Sequence, residues 1–363
     1  MMDGTDLSFV VIFLTIAVCL FAEPISSFLN VIDHPDDDRK DHARPTPLVG
    51  GVAIILPLAV WAAVELVFGS GVSHDLNLVI LCCSCGVAIV GFLDDQHTIS
   101  ATGRLFLLII FAAVALKLDP ALITNRLHTT AFGWTPVSPE FIAPLMVFAL
   151  VGFSSAVNMA DGTNGLVVAL LFLWSACLWI LSDASTAHTA QIIAGGSLVT
   201  LLFNAQGRLF LGDCGTFALA FTVGVLAILT HNAGHLPLES VIVWFFIPVA
   251  DCLRLIPLRL YHGRSPFRPD KHHFHHRLAA RLGEGRALLA YVGAVGVTSF
   301  AATFEPALST VCLVFLGTFY VMFLFADAFI QTPALAQNEP AQDTDNIVRL
   351  GKGFGGKKDG LTG

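Results

Sequence analysis

Eleven apolar segments follow one another along the chain and dominate its sequence. They lie at about 7–29, 47–68, 76–93, 104–118, 140–157, 164–182, 189–204, 214–231, 239–257, 287–303 and 308–330. Most are long enough to cross ~30 Å of hydrocarbon as helices that rise about 1.5 Å per residue. Only 13% of the residues are charged, against about 25% in a soluble domain. Because helices satisfy their own backbone hydrogen bonds in lipid, the sequence predicts an all-α, polytopic integral membrane protein with about 11 transmembrane helices.

The basic residues are distributed very unevenly over the loops between these segments. When the segments are threaded alternately through a membrane, all but Lys117 and Arg126 of the 19 Lys and Arg residues fall on one face. The positive-inside rule makes that face cytoplasmic. We therefore expect a periplasmic N-terminus and a cytoplasmic C-terminus. The first segment is expected to be a retained helix, since Asp3 and Asp6 rather than basic residues flank it.

The organisation predicted from composition is a single membrane-embedded domain over residues 1–330. Residues 331–363 are polar and rich in glycine, which is typical of disordered segments. The GKGFGG sequence in this tail does not match a phosphate-binding P-loop, which needs a Lys followed by Ser or Thr after a strand.

Five polar stretches interrupt the apolar sequence, and all of them fall on the predicted cytoplasmic face. They are DHPDDDRKDHARPTPLVGG (33–51), GFLDD (91–95), NMADGTNGL (158–166), LFLGDCGT (209–216), and PVADCLRL (248–255) with the following RPDKHHFHHRL (268–278). Ionisable groups at or within membrane helices are costly and usually functional. Their placement on one face predicts a shared site at the membrane surface.

The residue types in these stretches are suited to phosphate chemistry. The candidate oxygen ligands for Mg²⁺, which prefers carboxylate and carbonyl oxygens and substrate phosphates, are Asp94, Asp95, Asp213, Asp251 and Asn158. The nearby Arg, Lys and His side chains are donors for phosphate oxygens, and the glycines allow close backbone approach to a ligand. Together they indicate phosphoryl transfer between a nucleotide and a lipid.

Other interpretations of each stretch remain open when it is taken alone. The Asp94–Asp95 pair is compatible with a solvated helix end, DGTNG with a plain turn, and the basic loop with attraction to anionic lipid. The histidines are possible zinc ligands, although no C-x-x-C or H-E-x-x-H pattern accompanies them. No Glu completes an EF-hand, and the basic loop lacks the interleaved aromatics typical of nucleic-acid binding.

Taken in order, the stretches RKDHARPTPLVGG, GFLDD, NMADGTNGL, FLGDCGT and SPFRPDKHHFHH resemble those of the polyprenyl-phosphate N-acetylhexosamine-1-phosphate transferases. The resemblance covers nearly all of residues 7–330, and the histidine stretch resembles the branch that uses UDP-GlcNAc. It implies that the phosphate of a polyprenyl phosphate, undecaprenyl phosphate in bacteria, attacks the β-phosphorus of UDP-GlcNAc. The products are the polyprenyl-diphospho-GlcNAc and UMP, with Mg²⁺ as cofactor and Mn²⁺ as a substitute.

The resemblance also implies a role for individual residues. Catalytic roles fall on Asp94, Asp95 and Asp213. The Mg²⁺ ligands are Asp213 and Asn158. Nucleotide and sugar contacts fall on Asp161, Asn164, Asp251, Arg268, His273, His275 and His276. Contacts to the lipid phosphate fall on Lys40 and His42. Two departures from the family pattern are Asn164, where Asp is usual, and one extra residue in DHPDDDRK.

The resemblance further implies a multi-pass protein of the bacterial cytoplasmic (inner) membrane with its site facing the cytoplasm. The reaction would be the first membrane step of a cell-envelope polysaccharide, such as O-antigen. Expected partners are UDP-GlcNAc, undecaprenyl phosphate and membrane lipids, but no nucleic acid; a homodimer through lipid-facing helices is left open. A close epimer of the sugar, a catalytically silent scaffold and a secondary transporter are the alternatives. Transport is disfavoured because no repeat is apparent and the polar residues lie at one boundary.

Overall fold

The computed structural model describes residues 4–35, 44–69, 73–263, 265 and 272–337. Its helices are α1 (Gly4–Leu20), α2 (Ala22–Leu29), α3 (Gly50–Phe68), α4 (His74–Val79), α5 (Cys85–His97), α6 (Ala101–Leu118), α7 (Pro139–Ala160), α8 (Leu166–Leu181), α9 (Ala184–Asn204), α10 (Gly212–Asn232), α11 (Leu238–Tyr261), α12 (Phe274–Leu282), α13 (Glu284–Phe304) and α14 (Ser309–Gln337). The predictions for Lys40, His42 and Arg268 lie outside the described residues.

Each of the eleven apolar segments coincides with helical structure. A π-helical segment, Ile80–Ser84, joins α4 and α5 into one span, His74–His97. Counting it once, nine helices within the described ranges are long and apolar enough to cross a membrane, or ten if the bent pair Val10–Leu20 and Ala22–Leu29 counts as one span. The helix axis bends by 76° between the two helices of that pair. The remaining segment, α8, has 16 residues and a length of about 24 Å. The prediction of an all-α, multi-pass membrane protein is confirmed.

The most buried of the spans is α10, which lies at the centre of the bundle. Of its most apolar window, 83% is buried, against at most 56% for the other spans. It packs against α3, α5, α7 and α8. The approach to α3 is especially close: a Cβ atom added to Gly51 would lie 2.3 Å from the Cα of Gly215. Small residues of this kind let membrane helices touch through their backbones.

Short strands fix the chain at both ends of α10. Strand β1 (Ile32–Asp33) pairs with β2 (Thr46–Pro47) in antiparallel fashion. The segment that leads into α10 continues this pairing, since Phe210 N–H donates to the Pro47 carbonyl at 2.8 Å and Gly50 N–H donates to the Phe210 carbonyl at 2.9 Å. The beginning of α3 and the beginning of α10 are therefore joined by backbone hydrogen bonds.

A β-hairpin lies near the other end of α10. It consists of β3 (Arg126–Thr129) and β4 (Gly133–Pro136), between α6 and α7. The backbone N–H of His128 donates to His231 Nε2 at 3.4 Å, and the Trp134 ring lies 6.2 Å from the ring of His231. This hairpin is part of the end of the bundle that is remote from Asp213.

Contacts between α-carbons divide the chain into two units, residues 1–318 and 319–363. The second unit is described over 319–337, which is the C-terminal part of α14. The predicted domain boundary at residue 330 and the predicted disorder of the tail remain predictions, because most of the tail lies outside the described ranges.

Candidate active site

The N-terminus of α10 is capped by a carboxylate from a different helix. Asp95, in the last turn of α5, accepts the backbone N–H of Asp213 at 2.9 Å and that of Cys214 at 3.1 Å, one on each oxygen. These N–H groups have no partner within the helix, and the helix dipole favours a negative charge there. Gly212 has a φ of +72°, and a Cβ atom on it would lie 2.7 Å from Asp95 Oδ2. A glycine is therefore required before Asp213.

Asp213 lies at the point where four helices meet. Its Oδ1 accepts a hydrogen bond from Asn158 Nδ2 of α7 at 2.7 Å, and its Oδ2 pairs with Arg104 Nη1 of α6 at 2.9 Å. The same arginine nitrogen pairs with Asp94 Oδ2 of α5. Asp94 Oδ1 in turn accepts the backbone N–H of Ile99. The structure therefore brings together the predicted residues Asp94, Asp213 and Asn158, and it adds Arg104.

The donor atoms of this cluster fit a magnesium ion. No group of three or more His, Cys, Asp or Glu side chains in the described part of the chain is arranged to hold a metal, and both oxygens of Asp95 accept from the backbone of α10. Mg²⁺, however, is usually bound through one or two carboxylates, several waters and substrate phosphates. Asp94, Asp213 and the amide oxygen of Asn158 supply such a set, and the Arg104 guanidinium already places a positive charge between the two carboxylates.

A second cluster is organised by Asp251 of α11, which is 5% exposed. Its carboxylate accepts hydrogen bonds from Arg254 Nη2 at 2.7 Å, His273 Nδ1 at 2.9 Å and the backbone N–H of Phe274 at 3.1 Å. Arg259 Nη2 lies 3.2 Å from His273 Nε2, and because arginine only donates, that nitrogen accepts. The partners therefore assign the Nδ1–H tautomer to His273, and Asp251 fixes the start of α12.

The histidines of α12 face the loop between α7 and α8. A Cβ atom on Gly162 would lie 2.4 Å from His275 Nε2 and 2.9 Å from His276 Nε2. His275 is buried, and its Nε2 has no hydrogen-bond partner among the described residues. Burial, together with the neighbouring His276 and His273, holds the pKa of His275 well below its usual value. His275 is therefore neutral near pH 7.

The same loop connects the histidines to the cluster around Asp213. Burial and the negative charge of Asp95 raise the pKa of Asp161 to about 7, so the Asp161 carboxyl group is within electrostatic reach of the α10 N-terminus. Asn164 is exposed, and its Nδ2 lies 3.3 Å from the position of a Cβ atom on Gly207. Asp161 and Asn164 therefore lie in the loop that His275 and His276 face at Gly162, and the part of the chain that includes Arg268 is not described.

Two residues of this region were not predicted as site residues. The sequence analysis counted Arg104 only among the basic residues that indicate the orientation in the membrane. The feature that could have identified it is a lone arginine near the start of an apolar helix, nine residues after Asp95. Asn204 is 3% exposed and joins two loops: it accepts the N–H of Gly165 at 2.7 Å and donates to the Leu209 carbonyl at 3.0 Å. An asparagine at the end of α9 gave no comparable signal.

Comparison with known proteins finds a family model that matches this region. Residues 77–231 match the model described as Glycosyl transferase family 4. That range contains Asp94, Arg104, Asn158, Asp161 and Asp213, whereas Asp251 and the histidines lie after it.

Three similar proteins are named Undecaprenyl-phosphate alpha-N-acetylglucosaminyl 1-phosphate transferase. The protein of Escherichia coli strain K12 is 29% identical over 291 residues, which cover 75% of each chain. The protein of Yersinia pestis is 27% identical over 317 residues, covering 81% of this chain and 84% of its own. The protein of Salmonella typhi is 28% identical over 330 residues, covering 83% and 85%.

Proposed function

We propose that the chain is a member of glycosyl transferase family 4, whose model matches residues 77–231, and that it transfers GlcNAc-1-phosphate from UDP-GlcNAc to undecaprenyl phosphate. A phosphate oxygen of the lipid bonds to the β-phosphorus of the nucleotide sugar, and the bond to the bridging oxygen breaks. UMP leaves with that oxygen, and undecaprenyl-diphospho-GlcNAc remains in the membrane. The observation that carries the proposal is the cluster of Asp94, Arg104, Asn158 and Asp213 at the N-terminus of α10.

The two reactants are both anions, so the site must mainly position them and offset their charge. Asp213 and Asp94, with the amide oxygen of Asn158, would hold Mg²⁺, or Mn²⁺ in its place. The bound ion supplies positive charge at the phosphates. Asn158 keeps the Asp213 carboxylate in place, because its Nδ2 donates to Asp213 Oδ1 and lies 2.8 Å from Thr216 Oγ1. The acceptor is already ionised, and so no strong base is required.

The donor would bind between the 161–165 loop and α12. His275 offers a buried Nε2 without a partner in the described structure, which is suited to an oxygen of the diphosphate or sugar. Asn164 is exposed at the edge of the loop and is suited to the uracil. Asp251 would act indirectly, because it orients His273 and the first turn of α12.

The remaining sequence-based assignments are part of the same proposal. Lys40 and His42 would contact the lipid phosphate, and Arg268 the diphosphate of the donor. The protein would lie in the bacterial cytoplasmic membrane with this site facing the cytoplasm, as the distribution of basic residues indicates. The reaction would begin assembly of a cell-envelope polysaccharide.

Release of UMP from UDP-GlcNAc by membranes that contain the protein tests the proposal. We expect release only when undecaprenyl phosphate and Mg²⁺ are both present, and we expect Asp213→Ala to abolish it while the protein still inserts. Asp75→Ala is the matched control, because Asp75 is an exposed carboxylate paired with His74 near the start of α4. Near-normal turnover by Asp213→Ala would contradict the assignment.

The same assay separates the alternatives when several UDP-sugars are compared side by side. Faster UMP release from the UDP-derivative of an epimer would mean that the reaction is the same but the sugar is different. Binding of UDP-sugar without release of UMP would indicate a catalytically silent scaffold. Solute uptake into proteoliposomes without nucleotide would indicate a transporter instead.

A further inference from the structure

Arg104 joins the two carboxylates to which we assign the metal ion. A single guanidinium nitrogen, Nη1, pairs with Asp94 Oδ2 and lies 2.9 Å from Asp213 Oδ2. The side chain of Asp94 is only 5% exposed, whereas the side chains of Asp213 and Arg104 are 29% and 26% exposed. The Asp213 end of this bridge is therefore the accessible one.

The other oxygens of both carboxylates already have partners. Asp94 Oδ1 accepts the backbone N–H of Ile99, and Asp213 Oδ1 accepts Asn158 Nδ2. Arg104 Nη1 contacts the second oxygen of each, Asp94 Oδ2 and Asp213 Oδ2. An ion that binds between these two oxygens therefore has to take the place of the guanidinium group on at least one of them.

A positive charge at this point has a clear physical role. Two carboxylates that share a site repel each other unless a cation lies between them. The guanidinium group also lies over the Phe217 ring, with Cζ 5.7 Å from the ring centroid, and this contact holds the arginine side chain near the first turns of α10.

We propose that Arg104 and the divalent cation compete for the same carboxylate oxygens, and that Arg104 leaves Asp213 when the cation binds. This inference rests on the proposed function, because the metal is assigned there. The competition weakens binding of the free ion. A nucleotide diphosphate brings additional negative charge, and so it shifts the exchange towards the metal; linkage requires that metal and nucleotide then strengthen each other's binding.

Binding of Mn²⁺ to the purified full-length protein in detergent tests this proposal without turnover. The free ion is measured by electron paramagnetic resonance, with and without UDP. We expect Arg104→Gln to bind Mn²⁺ at least about tenfold more tightly than the unchanged protein, because a positive charge next to the ion is removed. We also expect UDP to improve Mn²⁺ binding less in Arg104→Gln than in the unchanged protein.

Three further variants sharpen the comparison. Arg104→Lys keeps the charge, and its Mn²⁺ affinity should stay within about threefold of the unchanged protein. Arg208→Gln removes an exposed arginine that contacts the Phe203 ring and should leave the affinity unchanged. If Arg104→Gln does not fold, Arg104→Met is measured instead, because methionine keeps the apolar contact with Phe217.

Equal or weaker Mn²⁺ binding by Arg104→Gln or Arg104→Met would overturn the proposal, because a purely structural arginine would give that result. Absence of Mn²⁺ binding in every variant would overturn it as well. Neither outcome depends on UMP release. The proposed competition can therefore be refuted while the transferase activity is confirmed, and it can be supported while the transferase activity is refuted.

Discussion

Asp95 accepts a hydrogen bond from the backbone N–H of Asp213 at 2.9 Å, although 118 residues separate them in the chain. Its other oxygen accepts the N–H of Cys214. The second carboxylate of the GFLDD stretch therefore holds the helix that carries Asp213, whereas the first, Asp94, points into the cluster with Arg104. The sequence-based assignment of a catalytic role to Asp95 remains a prediction, and the structure gives this residue a clear structural role.

The capping of α10 by Asp95 predicts a loss of stability on substitution. Asp95→Ala should lower the free energy of unfolding by about 1–2 kcal/mol, as expected for the loss of a helix cap. Asp95→Asn should lose less, since an amide oxygen still accepts one N–H. Thermal unfolding in detergent measures both, with Asp75→Ala as the control. An unchanged unfolding midpoint for Asp95→Ala would show that the cap contributes nothing.

The contact between Gly162 and the histidines predicts an effect on donor binding. In Gly162→Ala the new methyl group would lie 2.4 Å from His275 Nε2, so the buried ring must move. We expect the KM for UDP-GlcNAc to rise about tenfold or more, since a displaced polar contact in a binding site costs about 1–3 kcal/mol. Gly152→Ala in α7 is the matched control, because a Cβ atom there meets nothing within 4 Å. Equal KM values for the two variants would argue against donor binding at this loop.

The cluster around the buried Asp251 predicts a large loss of stability when this residue is replaced by asparagine. Asp251→Asn removes a negative charge that accepts from Arg254 and His273, and loss of one partner of a buried ion pair typically costs about 3–5 kcal/mol. We expect a clearly lower unfolding midpoint and weaker UDP binding by calorimetry. The exposed pair of Asp183 and His235, 3.3 Å apart, offers the control Asp183→Asn. Stability equal to that of the control would contradict the anchoring role.

The raised pKa of Asp161 predicts a pH-dependent stability. Burial and the charge of Asp95 raise this pKa from 3.8 to about 7, so between these values the folded protein binds a proton that the unfolded chain releases. The contribution of Asp161 to the free energy of unfolding must therefore fall as the pH rises from about 4 to about 7. Above about pH 7 this contribution stays constant. The free energy of unfolding of Asp161→Asn, relative to that of the unchanged protein, should therefore rise across that range. Parallel profiles of unfolding midpoint against pH for the two proteins would refute this.

Much of the candidate site could be predicted from sequence because its residues are chemically unusual for their surroundings. Asp94, Asp213 and Asn158 stand out as polar groups at the ends of apolar segments, and the structure brings them into contact. Asn204 could not be recognised, since its importance comes from two backbone groups, at Gly165 and Leu209, that only the folded chain places beside it.

The sequence by itself determined the helical, membrane-spanning class, because each apolar segment has to satisfy its own backbone hydrogen bonds in lipid whatever surrounds it. It also determined which residues are candidates for phosphate chemistry. Only the tertiary structure decided how the carboxylate oxygens are used: both oxygens of Asp95 accept from the backbone of α10, whereas one oxygen of Asp94 and one of Asp213 pair with Arg104. The physical reason is that a hydrogen bond or ion pair depends on distance and direction between atoms, and residues far apart in the chain acquire these only when the helices pack.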